Sequence, residues 1–342
     1  MSFFARMVLI SLSLLLPVAA ASAQAPPPKT PPTDPKAVAK LPPPPAATQI
    51  AATVNGQEIP EIAVYRAFLH DPASFNAENR KDLINHLVDN MLVDQYLSQL
   101  KIAVEPKEVE ARFAQIEAEA QKSKSTLKEM LGKMYLTEED VRKELVNSLR
   151  WEKFLSQQAS EKVLREMFEK NPAMFNGTMV AARHILVPSK GPETVTQMQA
   201  LRKYIEDLTA AEVAKLPATA DPATREKEKA AILVKVFAQQ ASERSTCPSK
   251  AKGGELGAFP RVGVMVEPFA KTAFALKPFQ MSEPITTEFG VHIILCTEVR
   301  PGRDVKYEDV RAFVQDVYGD RLREAVVAAY KPRSKIQINE MK

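Results

Sequence analysis

Two histidines stand in places where histidine is uncommon. The run "GVHIILC", residues 290–296, is β-branched and aliphatic apart from His292, and "ARHILV", residues 182–187, sets His184 in the same surroundings. Both runs read as buried strands. One imidazole in such a strand is ordinarily a core group with a local hydrogen-bond partner. Chemistry requires other polar groups to converge on it. The chain has four histidines and two cysteines, Cys247 and Cys296. A cysteine beside two histidines could act as a nucleophile or a metal ligand. The separations, 63 residues from His184 to Cys247 and 45 from Cys247 to His292, follow no zinc pattern. Neither a fourth ligand nor an oxyanion-hole signature is evident, so no metal and no cofactor is expected.

The elements around these residues form a recognisable order. "TMVAARHILV" reads as a strand, residues 193–208 and 230–241 as helices, "VEPFAKTAFALKP" as a short helix and "GVHIILCTEV" as a strand. Between them "STCPSKAKGGELGAFP", rich in Gly, Ser and Pro, reads as a loop with backbone constraints. This order predicts a small α+β domain with first and last strands as neighbours, which would let His184 and His292 face each other.

Residues 180–299 resemble the parvulin family of peptidyl-prolyl cis/trans isomerases. "ARHILV" is similar to the family's first strand and "STCPSKAKGGELGAFP" to its loop with Cys or Asp and a Gly-Gly-x-Leu-Gly-x-Phe turn. "VMVEPFAKTAFAL" resembles the segment supplying Met and Phe to a proline pocket, and "ITTEFGVHII" the last strand. The resemblance implies a polar floor of His184, Cys247, Thr287 and His292, with the thiol a polar neighbour and not a nucleophile. It implies that Leu256, Met265 and Phe269 hold the proline ring. Phe289 stands where phosphate-directed relatives tend to have Ser, and "VPSKGPETV" has one Lys and no Arg cluster, which argues against a phosphoserine preference. Residues 209–227, rich in Ala, Pro and charge, read as an insertion forming a surface excursion.

Ahead of this domain, an apolar run from Met7 to Leu16 follows Arg6 and precedes "ASA", so residues 1–23 read as a cleaved signal peptide. No Cys follows, so no lipid anchor is expected, and the mature protein is expected to be exported, periplasmic or secreted. Ten of the twenty-one residues from Ala25 to Pro45 are proline. Residues 24–49 therefore read as a linker, whose Ala25–Pro45 stretch in polyproline II could span ~65 Å. Asn55-Gly56 between short apolar runs predicts a tight hairpin. Helical periodicity follows, with Leu83, Ile84, Leu87, Val88, Met91 and Leu92 on one face, Pro106 opening a further helix and another starting near Ser125. Thr137 and Asp140 form a capping-box pattern.

Residues 50–172 resemble the N-terminal part of exported foldases of the SurA and PrsA type, on "VNGQEI" and the helix pattern. The tail, 303–342, carries Val310, Val314, Val317, Leu322 and Val326 at helical spacing and ends in β-prone "KIQI". Burying that stripe on the 50–172 helices makes the helical chaperone module discontinuous, with the parvulin domain at 177–300 inserted. The same reasoning allows a swapped homodimer.

The expected function is an exported folding factor: an isomerase of prolyl bonds with a chaperone module, acting on unfolded or partly folded exported clients. The alternative is a holdase that binds proline-containing segments without turnover. The net charge of +4 over 342 residues, with no Lys/Arg run longer than two, gives no reason to expect nucleic acid as a partner.

Overall fold

A computed structural model describes residues 41–122, 126–217 and 221–340. The signal peptide expected at 1–23, the arm up to residue 40 and the helix start near Ser125 lie outside the described residues. The chain divides into two compact units: a central one, Lys162–Val317, and a discontinuous one made of the chain up to Glu161 and from Tyr318 on.

The discontinuous unit opens with the hairpin β1 (Ile50–Val54) and β2 (Gln57–Pro60), paired antiparallel. Asn55 and Gly56 both take positive φ, 52° and 85°, as a two-residue hairpin turn requires. Helices α1 (Glu61–Ala67), α2 (Ala77–Gln99), α3 (Pro106–Lys122), α4 (Leu127–Lys133) and α5 (Glu138–Gln158) follow. Leu83, Ile84, Val88 and Leu92 of α2 cover the hairpin with Val64 and Phe68. Val109, Phe113, Leu131, Val141 and Leu145 join α3, α4 and α5 in a second cluster. Thr126 with Glu129 and Thr137 with Asp140 form reciprocal capping boxes that satisfy the first amides of α4 and α5.

The arm is folded nearer its start than the expected limit of residue 49. Leu41 packs against the hairpin cluster, and the Tyr65 hydroxyl donates to the Pro42 carbonyl at 3.0 Å. Leu41 is the one large aliphatic side chain of the stretch and gives it an apolar anchor.

In the central unit come α6 (Glu161–Lys170, of which Lys162 onward belongs here) and α7 (Pro172–Phe175). Strand β3 (Met179–Val187), helices α8 (Pro192–Val213) and α9 (Pro222–Arg244), β4 (Glu255–Pro260), α10 (Glu267–Ala275), β5 (Ile285–Thr287) and β6 (Gly290–Arg300) complete it. The four strands lie in the order β4-β3-β6-β5, all antiparallel. This is an α+β arrangement in which the first and last strands are central neighbours.

β6 is buried on both faces, which explains why its apolar run does not alternate. Val291, Ile293 and Leu295 meet Ile185 and the helices α8 and α9 through Met198, Leu201, Ile205 and Phe237. Ile294 and Cys296 point the other way, with Val180, Ala182, Phe259, Phe269 and Ala273. His184 and His292 share this second face by strand parity.

Two segments differ from the sequence expectation. "GGELGAFP" is not a loop throughout, because Glu255–Pro260 pairs with β3 as an edge strand. Gly257, at φ 70°, accommodates the register shift between Ala182 and Arg183, and its glycine content concealed the strand. The insertion at 209–227 is not mainly irregular either. It lengthens α8 to Val213 and starts α9 at Pro222, capped by Asp221, so both helices outrun their expected ends; residues 218–220 lie outside the described ones.

The chain closes with α11 (Tyr307–Tyr330) and β7 (Ile336–Ile338). Its first half serves the central unit: Tyr307 meets Phe168 edge-on at 5.7 Å, and Phe313 meets Phe175 at 5.9 Å. These aromatic pairs place the unit boundaries at Glu161/Lys162 and Val317/Tyr318, away from the boundaries of 172 and 303 read from sequence. From Tyr318 on, α11 serves the discontinuous unit, where Val326 is buried with Val93, Leu97 and Phe154. β7 adds to β1, with Ala52 opposite Ile338 and Val54 opposite Ile336. Among the described residues, no helix is long and apolar enough to cross a membrane.

Candidate active site

Antiparallel pairing sets His184 opposite Ile294 and Leu186 opposite His292, so the two histidines are diagonal neighbours on one face. Their rings stack at 25° with Nδ1 to Nδ1 at 3.3 Å. His184 Nε2 lies 3.2 Å from Ser249 Oγ, and His292 Nε2 lies 2.7 Å from Thr287 Oγ1. The result is one chain of polar atoms: Ser249, His184, His292, Thr287. All three non-serine members are buried.

Proton counting constrains this chain. Burial pushes both imidazoles down to about 4, and for His292 the neighbouring His184 adds to the effect. Both are therefore neutral at pH 7, each with one N–H. The shared Nδ1–Nδ1 contact uses one proton, which leaves one Nε2 as donor and the other as acceptor. The Phe289 amide also donates to Thr287 Oγ1, at 3.1 Å. In either arrangement one hydroxyl at an end of the chain, that of Ser249 or of Thr287, keeps its proton to offer elsewhere. The floor can thus present a hydrogen-bond donor without carrying charge.

Apolar side chains from the neighbouring elements pack around the histidine pair. Phe269 of α10 stands edge-on to both histidines, with centroids at 5.6 and 5.5 Å. Leu256 and Met265 are half-buried against the cluster that contains Phe269. Arg261 and Glu267 form a two-pronged ion pair, both contacts 2.7 Å, that ties the Met265 loop to the start of α10. On the far side, the Gly253-Gly254 turn clasps β3. His184 N–H donates to the Gly254 carbonyl at 2.9 Å, while Arg183 Nη1 donates to the carbonyls of Lys252 and Gly253.

The PPIC-type PPIase domain family matches residues 184–298, and a SurA-like N-terminal domain family matches residues 44–155. The chain is 34% identical over 123 residues to the peptidyl-prolyl cis-trans isomerase Pin1 of Malus domestica, spanning 34% of this chain and 93% of that protein. This chain belongs to the PPIC-type peptidyl-prolyl isomerase family. It is also 45% identical over 75 residues to the foldase protein PrsA of Bacillus subtilis, covering 22% of this chain and 24% of that one. To the chaperone SurA of a Polaromonas species it is 31% identical over 170 residues, covering 47% and 30%. The matched part is thus less than a third of the length of these two relatives.

In this member of the PPIC-type family, His184, His292, Thr287 and Phe269 lie together. Cys247 is different. It precedes the 3₁₀ turn Pro248–Lys252, its amide donates to Ser245 Oγ, and its side chain is half-buried. Among the described residues the hydrogen-bond partner of His184 Nε2 is Ser249, not Cys247. The sequence reading missed Ser249, although a hydroxyl two residues past Cys247 in the same short turn was a usable signal. Phe289, expected among the substrate-binding residues, is 57% exposed, and its amide donates to Thr287 Oγ1. Phe269, by contrast, is core as well as wall, at 3% exposure, so Phe269→Ala would cost about 3–5 kcal/mol of stability and does not isolate the pocket.

The depressed histidines make the central unit acid-sensitive. Near pH 7 both are neutral whether folded or unfolded. As pH falls from about 6.5 toward 4, the unfolded chain takes up protons that the folded site refuses. Each imidazole then removes up to about 1.4 kcal/mol of stability per pH unit. Denaturant unfolding at pH 7 and pH 5 should show the wild type losing more stability than His184→Gln does. Equal losses in the two proteins would mean that the pair is not held neutral.

Proposed function

We propose that the chain is a folding factor that isomerises peptidyl-prolyl bonds of exported client proteins, with the discontinuous unit as its chaperone module. The observation that carries the reading is the neutral His184–His292–Thr287 chain set directly under the edge of Phe269. A prolyl bond is a tertiary amide with a barrier near ~20 kcal/mol, and its planar form is held by resonance that twisting removes. In the proposal, Leu256, Met265 and Phe269 hold the proline ring in a dry pocket. The hydroxyl-ended floor favours the twisted amide over the planar one, since only interactions stronger in the transition state accelerate the step. A ~10⁴-fold acceleration requires about 5.5 kcal/mol of such selectivity. No covalent intermediate is needed, so Cys247 serves as a polar neighbour.

Membership in the isomerase family supports the activity, and the SurA-like match over 44–155 supports the chaperone module. The apolar run Met7–Leu16 with small residues after it supports export. The test is refolding of a client whose slow phase is set by prolyl isomerisation, with the full chain added at substoichiometric amounts. Acceleration of that phase is expected from the wild type and from Cys247→Asp. Suppressed aggregation with an unchanged slow phase would support the holdase alternative, and loss of activity in folded Cys247→Asp would reopen a nucleophilic role.

A further inference from the structure

Tyr65 and Tyr135 are neighbours in the discontinuous unit, with ring centroids 5.8 Å apart at 78°. Tyr65 is buried at 8% exposure, and its hydroxyl donates to the Pro42 carbonyl at 3.0 Å. Pro42 opens the run Pro42–Pro45. Consecutive prolines have no N–H and a fixed φ, so their backbone is stiff and its carbonyls await outside donors. Leu41, just before them, packs on the cluster of Ala52, Val64 and Phe68. An aliphatic anchor followed by a proline carbonyl held by an aromatic hydroxyl is the chemistry by which aromatic grooves hold polyproline II ligands.

Tyr135 supplies an independent observation. It follows Met134, the C-cap of α4, at φ 54°, where Leu136 N–H donates back to the Leu131 carbonyl at 2.9 Å. Glycine takes this left-handed position without strain, and a bulky aromatic does not. Yet the chain places tyrosine here with 43% of its surface exposed, so core filling does not account for it. A strained, exposed aromatic beside the tyrosine that holds Pro42 points to a role for the ring.

We propose that Tyr65 and Tyr135 form a polyproline-recognition site, separate from the histidine site, whose resident ligand is the chain's own Leu41–Pro45. The site is self-occupied and holds Leu41–Pro45 against the discontinuous unit. It admits another copy of the same sequence only when its own segment lets go. The inference does not depend on isomerase activity.

The probe is a fluorescent nonapeptide of residues 41–49, LPPPPAATQ, titrated into the full chain by anisotropy. Leu41→Asp in the protein weakens the internal ligand and frees the site, so it should bind the peptide at least about tenfold tighter than the wild type does. In that background Tyr65→Phe and Tyr135→Gly should each weaken binding about fivefold or more. Tyr135→Gly should melt no lower than its parent, because glycine relieves the left-handed backbone, so its effect reports the ring and not the fold. A peptide with all four prolines changed to alanine should not bind. Equal binding by wild type and Leu41→Asp, binding indifferent to both tyrosines or to the prolines, or no binding to any variant would each overturn the proposal.

Discussion

Gly254→Ala is expected to destabilise the central unit by more than about 3 kcal/mol. Gly254 has φ 77°, and a Cβ there would lie 2.3 Å from the His184 carbonyl oxygen and 3.0 Å from the Ala241 Cβ. Neither neighbour is a flexible side-chain end. One is the backbone of β3 at His184, and the other is held on α9. Relief therefore requires the clasp to open, and with it the hydrogen bond from His184 N–H to the Gly254 carbonyl. Gly257→Ala is the control, since Gly257 has a similar φ of 70° with nothing within 4 Å of a built Cβ. It should cost only the backbone strain, about 1–2 kcal/mol. Thermal unfolding followed by far-ultraviolet circular dichroism measures both. Equal losses would mean that the Gly254 turn is not closed on β3.

Val326→Asp should be comparably severe in the discontinuous unit. Val326 is 8% exposed among Val93, Leu97 and Phe154, with Leu322 and Trp151 around them. A carboxylate there would lose hydration among apolar side chains, a loss of more than about 3 kcal/mol. Trp151 is the chain's single tryptophan and lies under the Arg323 guanidinium at 4.7 Å, so its fluorescence reports this unit alone. The tryptophan-detected transition should move to markedly lower denaturant. An unmoved transition would mean that α11 beyond Tyr318 does not hold the unit together. Removing the whole tail after Arg300 is a poorer experiment, because it also strips Tyr307 and Val314 from the central unit, where both are buried.

Much of this architecture was legible because local signals agreed with tertiary ones. Asn55-Gly56 gave the hairpin, Thr137 with Asp140 the start of α5, and the apolar run of 290–296 a buried strand. The histidine pair was legible because two imidazoles interrupted two such strands, and antiparallel pairing did the rest. What stayed hidden depended on contacts between distant segments. β4, ELGAFP, is an edge strand interrupted by Gly257 and ended by Pro260, and its identity comes from pairing with β3, not from propensity. Ser249 acquires its role only through the 3₁₀ turn that aims it at His184. The unit boundary within α11 reflects the aromatic pairs Phe168–Tyr307 and Phe175–Phe313, which no helical periodicity could assign to one neighbour over another.

The central claim is that the pocket over the histidine floor accelerates rotation about prolyl bonds, and Met265 tests it most directly. Met265 is half-buried on a loop pinned by Arg261 and Glu267, so Met265→Ala should leave the fold in place. The measurement is cis/trans exchange of a short proline-containing peptide, followed by exchange spectroscopy, with catalytic amounts of the full chain. The account predicts clear acceleration by the wild type and a loss of about tenfold in Met265→Ala at an unchanged melting temperature, equivalent to about 1.4 kcal/mol of transition-state binding. No acceleration by the wild type, or wild-type rates in a folded Met265→Ala protein, would contradict it.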